Sequence, residues 1–406
     1  MKNRPQSQVD TAKIDTPAFV IEEHILRHNL SILKEVKEKT GTKMLQALKT
    51  WATWELFPIV REYLDGAEVS SLNEATLGAE YYDEVHIYAP AYREKEFEEI
   101  LEKCTTIIFN SFLQWKKFKP QVEEWNAQNP QKKRECGLRI NPGDIEGGSH
   151  SGLWSPTSPG SRLGIRVSEF ETALKEDPKA LEGISGLHFH VFWDEALPQL
   201  KNAVAAVEQK FGKYLPQMKW VNWGGGQTIT NDDYDREGLV ELINAFQKKH
   251  GVTVHLEPGA AIVKDAGALV ATVLDMVHRD DVPFEIAVLD MSFNAHMPDF
   301  LLSPDLDMPV ARAAVVREEG VADQPNLYQL AGGTCVTGDH LSHYHSFERS
   351  LMPGDKIMLL DGIQYNLVQC TMFNGVQHPS IVLLKQNGEY EVLREFGYED
   401  YKNRMG

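Results

Sequence analysis

Long apolar runs are missing from this sequence of 406 residues. No stretch approaches the roughly 18 consecutive apolar residues that a membrane-spanning helix needs, so we expect no membrane association. The polar first 15 residues lack the apolar core of a signal peptide. Cysteine is also scarce, and none of the four has the CxxC or metal-ligand spacing of a metal site. These absences favour a cytoplasmic protein with free thiols and no metal.

Positive charge is in short supply as well. The chain has 41 lysines and arginines against 59 acidic residues, a formal net charge of −18. Such a surface repels nucleic acid and anionic lipid but accommodates a small cationic molecule. The hydrophobic content of 42% and charged content of 25% are ordinary for a globular protein with a sizeable core.

Short apolar runs alternate with amphipathic segments through the first 260 residues. The runs are rich in Val, Ile and aromatic residues and too short to be whole helices, so each predicts a strand. They are KMLQALK (43–49), AEVSS (67–71), EVHIYAP (84–90), TTIIFN (105–110), CGLRINP (136–142), ISGLHFH (184–190), KWVNWGGG (219–226) and VTVHLEPG (252–259). Eight strand–helix units in about 250 residues match the size of a (β/α)8 barrel, with an open doubly wound sheet as the alternative.

Beyond residue 265 the pattern changes to strand-like runs, with a QNG hairpin turn near residue 387. We therefore predict an α/β fold in two domains. A TIM-like (β/α)8 barrel covers residues 16–265, and a mainly-β domain covers residues 266–406, with residues 1–15 packing on the latter. The Gly-, Ser- and Pro-rich interval 143–161 predicts a long functional loop after the fifth strand.

Residues suited to chemistry stand at the carboxyl ends of six of the eight runs. Active sites of barrels lie at that rim, so the six together favour a single site. The residues are Lys49, Ser70 with Ser71, Arg139 with Asn141, His188 with His190, the triplet Gly224, Gly225 and Gly226, and Glu257.

Three of these features suggest one cofactor. A glycine triplet after a strand allows backbone N–H groups to approach a phosphate, although a plain turn explains it equally well. Desolvation at a barrel mouth frees an amine such as that of Lys49 to attack an aldehyde. A carboxylate such as Glu257 keeps a pyridine nitrogen protonated. Together they describe a site for pyridoxal 5′-phosphate (PLP), whereas His188 reads more simply as a structural histidine.

The same stretches resemble those of the fold-type III PLP-dependent decarboxylases, relatives of alanine racemase, ornithine decarboxylase and diaminopimelate decarboxylase. Within that family they are most similar to the branch acting on carboxynorspermidine and carboxyspermidine. The resemblance extends from Thr16 to Met372. It is carried by LQALKTWATW, GAEVSSLNEA, LRINPG, SRLGI, GLHFHV, WGGG, EPGA, GGTCVTGD and DGIQYNLVQCTMFNG.

The resemblance implies a role for each matching position. Lys49 binds the cofactor aldehyde, His190 stacks on its ring, Glu257 faces its ring nitrogen, and Arg139 lies near it. The phosphate is bound by Gly224, Gly225, Gly226 and Tyr365. The family is a head-to-tail homodimer in which Cys335 and Asp339 enter the site from the second subunit, with Cys335 as the proton donor. A small cationic carboxy-polyamine is the implied substrate. Candidates to receive its distal ammonium groups are Asp339, Asp299, Asp305 and the Phe192–Trp193 pair.

Two departures from the family pattern affect the phosphate contacts. Phe192 and Trp193 stand where relatives have Gly-Ser, and Ala260 stands where relatives have arginine. Three other hypotheses remain: a diaminopimelate or other basic amino acid decarboxylase, a PLP-binding regulatory homologue without turnover, and a barrel-type metal hydrolase. The presence of both Lys49 and Cys335 argues against a regulatory homologue, and the lack of a carboxylate pattern argues against a metal.

Overall fold

The structure, a computed structural model, describes residues 4–145, 155–192, 195–299, 308–317 and 324–406. The chain forms two compact units. One contains Asn29–Ile262, and the other contains the described residues before Asn29 together with Val263–Gly406. None of the helices within the described ranges combines the length and apolarity needed to cross a bilayer.

The first unit is a closed barrel of eight parallel strands; strands are numbered β1 to β18 in chain order. The barrel strands are β2 (Lys43–Ala47), β3 (Gly66–Val69), β4 (Val85–Tyr88), β5 (Thr106–Phe109), β6 (Glu135–Asn141), β8 (Gly186–His188), β9 (Trp220–Asn222) and β10 (Thr253–Leu256). They pair in that order, and β10 pairs with β2 to close the ring. The short β7 (Ile165–Arg166) pairs with β6 alone. The predicted barrel is confirmed, and the open sheet is excluded.

Helices follow the strands as the alternation predicts. They are Glu23–Thr40, Phe57–Val60, Leu72–Tyr81, Phe97–Lys103, Phe112–Gln128, Val167–Glu176, Leu197–Phe211, Arg236–His250 and Ala260–Val263. Ser71 and Ser111, each just after a strand, cap their helices by accepting the N–H of the residue three positions on. The helical segment after β2 is short: a 3-10 turn, Trp54–Leu56, leads into Phe57–Val60, with proline in the first helical turn.

The amino-terminal end of the barrel is filled by an aromatic plug. A Cβ atom on Gly137 or Gly186 would overlap the indole of Trp220, so both strands approach that ring closely. Trp220 in turn stacks on His255, with ring centroids 5.2 Å apart. Beside the plug, Glu84 bridges Lys43 at 2.6 Å and the buried His86 at 2.5 Å. This end of the barrel is therefore filled by packed side chains, and the ion pairs of Glu84 lie beside them.

The second unit is a mixed sheet of nine strands with short helices. Its strands are β1 (Ala18–Glu22), β11 (Gly267–Val277), β12 (Glu285–Leu289), β13 (Ala313–Val316), β14 (Leu327–Ala331), β15 (Tyr344–Phe347), β16 (Lys356–Leu360), β17 (Ser380–Leu384) and β18 (Tyr390–Arg394). The helices among the described residues after β12 are Phe293–His296, Asn366–Gln369 and Tyr398–Met405. The turn between β17 and β18 contains the predicted QNG, with Gly388 at φ +84°.

The chain before the barrel is placed differently from the expected boundary at residue 16. Strand β1 belongs to the second sheet, where it pairs antiparallel with β11 and parallel with β17. Ile14 packs against Val382 and Leu384 in the same unit. All five residues of β1 are buried, so its sequence resembles that of a barrel strand and does not encode its partners.

Candidate active site

The lysine after β2 is held in a turn between two neighbouring strand ends. The N–H of Ala47 donates to the carbonyl of Pro258, and the N–H of Leu48 donates to the carbonyl of Glu68, both at 3.0 Å. The Thr50 N–H returns to the carbonyl of Ala47 at 3.2 Å. This bracing presents the side chain of Lys49 at the carboxyl rim, as the sequence predicted.

A buried carboxyl group faces that lysine. Glu68, in β3, places Oε2 3.5 Å from Lys49 Nζ. Burial raises the pKa of Glu68 to about 7, and the nearby lysine limits the rise. A group with this pKa exchanges protons near neutrality, so it is well placed to accept a proton from the amine and to return it. Glu68 was not predicted from the sequence, because a lone acid within an apolar run resembles the exposed face of a strand.

The carboxylate of Glu257 is held by two side chains from neighbouring strands. Asn222 Nδ2 donates to Oε1 at 2.7 Å, and His188 Nε2 lies 3.5 Å from Oε2. Although burial opposes ionisation, His188 and then Lys49 hold the pKa of Glu257 well below its usual value. The site therefore contains one carboxyl group whose pKa is lowered beside another that titrates near neutrality.

The glycine triplet closes tightly around its neighbours. Gly224 and Gly226 have φ values of +69° and +84°, which favour glycine. A Cβ atom on Gly225 would overlap the carbonyl oxygen of Glu257. The Gly224 N–H donates to Asn222 Oδ1 at 2.8 Å, so Asn222 connects the triplet to Glu257. Asn222 is the second site residue that sequence analysis missed.

The N–H of Gly225 donates to His190 Nδ1 at 2.9 Å. Two of the three amides are thus engaged within the protein, which limits the expected phosphate contact to Gly226 at most. Burial, and then the charges of Lys49 and Arg139, keep the pKa of His190 well below its usual value. His190 is therefore a neutral ring, and the hydrogen-bond direction assigns its proton to Nε2.

Arg139 supports the backbone of this histidine. Its Nη2 donates to the carbonyl of His190 at 3.0 Å, and its guanidinium carbon lies 4.4 Å from the ring centroid of Tyr88. The structure therefore brings Lys49, Arg139, His190, Glu257 and the glycine triplet together in the barrel unit. It adds Glu68 and Asn222 to the residues chosen from the sequence.

Cys335, Asp339, Tyr365 and Asp299 belong to the second unit. Cys335 is exposed, whereas Asp339 is buried with 3% of its surface accessible. Its carboxylate accepts the N–H groups of Asn294 and Thr334 at 3.0 Å, together with the Thr334 hydroxyl. These internal donors occupy the carboxylate that was expected to receive a substrate ammonium group.

Tyr365 has an unusual backbone. Its φ of 56° and ψ of −49° form a γ-turn, closed by a 2.5 Å hydrogen bond from the Asn366 N–H to the Gln364 carbonyl. Asp361 anchors the turn by accepting from Gln364 Nε2 and Lys264 Nζ, both at 2.8 Å. Strain of this kind in a non-glycine residue is typical of functional segments.

Among the candidates for the distal amines, Asp299 has a pKa raised by burial, with Gln369 opposing the shift. Phe192 is buried in the barrel unit. Asp305 and Trp193 lie outside the described residues, as do residues 146–154 of the loop expected over 143–161.

The donor set of the barrel unit fits PLP. It offers one rim amine for an aldehyde, one ionised carboxylate for a ring nitrogen, and one neutral imidazole for an aromatic face. A Cβ atom at any position of the triplet would overlap a neighbouring group of the protein, so only glycine allows the backbone to lie there. Each of these groups is fixed by a hydrogen bond or by burial before any cofactor enters.

Comparisons with known proteins agree with this fit. Residues 19–362 match the family described as "Pyridoxal-dependent decarboxylase, C-terminal sheet domain". The chain is 41% identical to the carboxynorspermidine/carboxyspermidine decarboxylase of Campylobacter jejuni, over 97% of this chain and 99% of that one. It is 36% identical to the carboxyaminopropylagmatine decarboxylase of Synechocystis sp., with coverage of 97% and 96%.

Solved structures give the same result. The crystal structure of the Campylobacter jejuni carboxynorspermidine decarboxylase complexed with norspermidine superposes with a TM-score of 0.84 at 40% identity, covering 96% of this chain and 100% of that one. The diaminopimelate decarboxylase of Helicobacter pylori, complexed with L-lysine, superposes with a TM-score of 0.79 at 17% identity and covers 97% of each chain. At that identity the second match supports the fold alone.

Proposed function

We propose that this chain, which belongs to the family of pyridoxal-dependent decarboxylases and uses PLP, releases CO2 from carboxynorspermidine or carboxyspermidine. The products are norspermidine or spermidine, which places the enzyme in polyamine biosynthesis. The observation that carries the proposal is the 41% identity, over nearly the full length of both chains, to a decarboxylase of these two substrates. The expected decarboxylase family and cofactor are confirmed.

A second substrate is favoured by a specific observation. The 36% identity to a carboxyaminopropylagmatine decarboxylase also covers nearly both chains. By name, that substrate has an aminopropyl group carrying a carboxyl group, attached to agmatine. Carboxynorspermidine and carboxyspermidine differ by one methylene, which is worth only about 1–3 kcal/mol of discrimination. Diaminopimelate decarboxylases match less well, at 26% identity over 64% of the chain, so diaminopimelate ranks lower.

The residues of the barrel unit divide the work of binding the cofactor. When bound, PLP supplies an electron sink for the pair left behind by CO2. Lys49 would hold the cofactor aldehyde covalently, and Glu68, 3.5 Å away, would take the proton that the amine must lose. Glu257, ionised and oriented by Asn222, would hold the proton on the ring nitrogen. His190 would cover one face of the ring, and Gly226 and Tyr365 would receive the phosphate.

The substrate and the second subunit complete the proposed site. The net charge of −18 attracts a polyamine, and Asp299 is the described candidate for a distal ammonium group. The enzyme would act as a homodimer in which the partner subunit's Cys335 gives a proton to the carbon that has lost CO2. All four cysteines are free, which suits the reducing cytoplasm as the place of action.

The test is decarboxylation of five substrates by the wild type and by Lys49→Ala, with absorbance spectra recorded. The substrates are carboxynorspermidine, carboxyspermidine, carboxyaminopropylagmatine, diaminopimelate and ornithine. We expect CO2 from a carboxy-triamine, and loss of both the activity and the absorbance band of covalently bound cofactor in the variant. Turnover of carboxyaminopropylagmatine or diaminopimelate alone would replace the substrate assignment. A wild type without the absorbance band would contradict the role of Lys49.

A further inference from the structure

Asp339 is hydrogen-bonded through its backbone and its carboxylate, with all but one of these contacts inside a short loop, residues 332–339. Its backbone carbonyl accepts the Gly332 N–H at 2.7 Å, and its own N–H donates to the Val336 carbonyl at 3.0 Å. Its carboxylate accepts from Thr334 and Asn294. A residue this fully engaged and this deeply buried acts on its loop rather than on a ligand.

The residues on both sides of Cys335 are the ones that Asp339 holds. Thr334 precedes the cysteine and gives its N–H and hydroxyl to Asp339 Oδ2. Val336 follows the cysteine and accepts from the Asp339 N–H. Cys335 therefore stands at the exposed tip of a loop, and the residues on either side of it are hydrogen-bonded to the side chain and the backbone of Asp339.

The loop is also attached to the body of the second unit. Asp339 Oδ1 accepts the N–H of Asn294, in the helix Phe293–His296, at 3.0 Å. The Gly333 N–H donates to the Met291 carbonyl at 2.8 Å. A Cβ atom on Gly332 would overlap the Asp339 carboxylate, so the loop closes directly onto it. Asp339 thus connects the loop that carries the Cys335 thiol to the segment that follows β12.

We propose that Asp339 is a positioning residue for Cys335, and not the substrate-binding residue that the sequence indicated. It fixes the thiol so that a proton can be delivered to one carbon only. The proposal rests on the proposed function, in which Cys335 is the proton donor.

The chemistry of the carboxylate makes the role specific. Two backbone N–H groups, from different segments, point at two different oxygens of Asp339. An ionised carboxylate accepts on both sides, whereas an amide has one oxygen and one NH2 group. Asp339→Asn therefore sets a donor against a donor, in either orientation of the amide, with little change in shape.

The first measurement is alkylation of Cys335 by iodoacetamide in the cofactor-loaded enzyme, read by mass spectrometry of the cysteine peptides. Cys104 and Cys136 are buried and Cys370 is half-buried, so they serve as internal references. We expect iodoacetamide to alkylate Cys335 at least about fivefold faster in Asp339→Asn than in the wild type. In the proposed homodimer the exposed tip of the loop enters the partner subunit's site, and a released loop leaves that site more often. Thr334→Val, which removes only the hydroxyl contact, should give a smaller increase in the same direction.

The matched control is Asp355→Asn. Asp355 also stabilises a loop of the second unit, by accepting the Met352 N–H at 2.8 Å and pairing with Arg349. It lies outside residues 332–339, so its substitution should leave the Cys335 alkylation rate unchanged. An equal increase in both Asn variants would show general loosening of the unit and overturn the proposal, as would an unchanged rate in Asp339→Asn.

A double-mutant cycle separates positioning from general damage. We expect Asp339→Asn to lower kcat with little change in KM, and to lower it no further when Cys335→Ser is already present. Equal losses in both backgrounds would overturn the positioning role. Full turnover in Cys335→Ser alone would instead contradict the cysteine's role in the proposed function, and the alkylation rates would still decide whether Asp339 fixes the loop.

Discussion

Replacing Asn222 by alanine should lower both the stability of the protein and its affinity for the cofactor, although Asn222 has no predicted chemical role. Its amide nitrogen donates to the ionised Glu257 at 2.7 Å, and its oxygen accepts the Gly224 N–H at 2.8 Å. Asn222 has no accessible surface, so no water can replace either partner directly. The substitution therefore leaves two buried groups unsatisfied at once.

The magnitude follows from these two contacts. A hydrogen bond to a charged group is worth about 1.5–3 kcal/mol, and an orphaned buried N–H costs about 1–3 kcal/mol. We expect Asn222→Ala to lower the free energy of unfolding by about 3–5 kcal/mol, a large part of the roughly 5–15 kcal/mol typical of a folded protein. Cofactor affinity should fall by at least about tenfold, because Glu257 and the glycine triplet both lose the hydrogen bond that Asn222 makes to them.

Urea denaturation followed by tryptophan fluorescence, with and without cofactor, measures both effects. Asn29 provides a matched control, because it is also fully buried in the barrel unit and donates to the Ile262 carbonyl at 3.1 Å. Asn29→Ala should lower stability and leave the cofactor dissociation constant unchanged. If Asn222→Ala lies within about 1 kcal/mol of wild type and binds cofactor equally well, the coupling role assigned to Asn222 is wrong.

Two further predictions concern Glu84, at the amino-terminal end of the barrel, and the γ-turn at Tyr365. Despite partial burial, the contacts of Glu84 with His86 and Lys43 lower its pKa to about 2. Its contribution to stability is therefore complete above pH 4.5, the ordinary value, and is lost as the pH falls towards 2. After allowance for partial exposure this contribution is about 2 kcal/mol, and Glu84→Gln should flatten the acid limb of a stability–pH curve by that amount. An acid limb that is unchanged in this variant would refute the prediction. Tyr365→Gly should be more stable to urea than Tyr365→Ala by about 1 kcal/mol, because only glycine relieves the positive φ, and equal stabilities would show that the turn is unstrained.

The barrel and the residues at its rim could be predicted from the sequence, because strands are recognised by short apolar runs and rim residues by their position at the ends of those runs. Each of the eight apolar runs became a strand, and Lys49 and Glu257 were found by their position at strand ends. Glu68 and Asn222 lie inside strands, where a polar residue reads as solvent-facing. Only closure of the sheet turns them inward and makes them partners of the lysine and of the carboxylate.

The role proposed for Asp339 differs from the one predicted from the sequence for a related reason. The motif TCVTGD identifies a functional loop, but its spacing does not say whether the acid faces a ligand or its own backbone. That choice is made by Asn294 and Thr334, whose N–H groups reach the carboxylate from two segments. Partners of this kind are set by tertiary structure and leave no periodic signal.

The place of β1 has a consequence for how the protein is made. Ala18 pairs with Ser380, about 360 residues later in the chain, so the strand emerges from the ribosome long before its parallel partner. At about 5–20 residues per second the delay is roughly 20–70 s. The barrel segment Asn29–Ile262 is complete in that interval, while the apolar AFVIE strand has neither β11 nor β17 to pair with. The edge of β1 that pairs with β17 is therefore without its partner for most of the synthesis of the chain, and an unpaired strand edge favours aggregation.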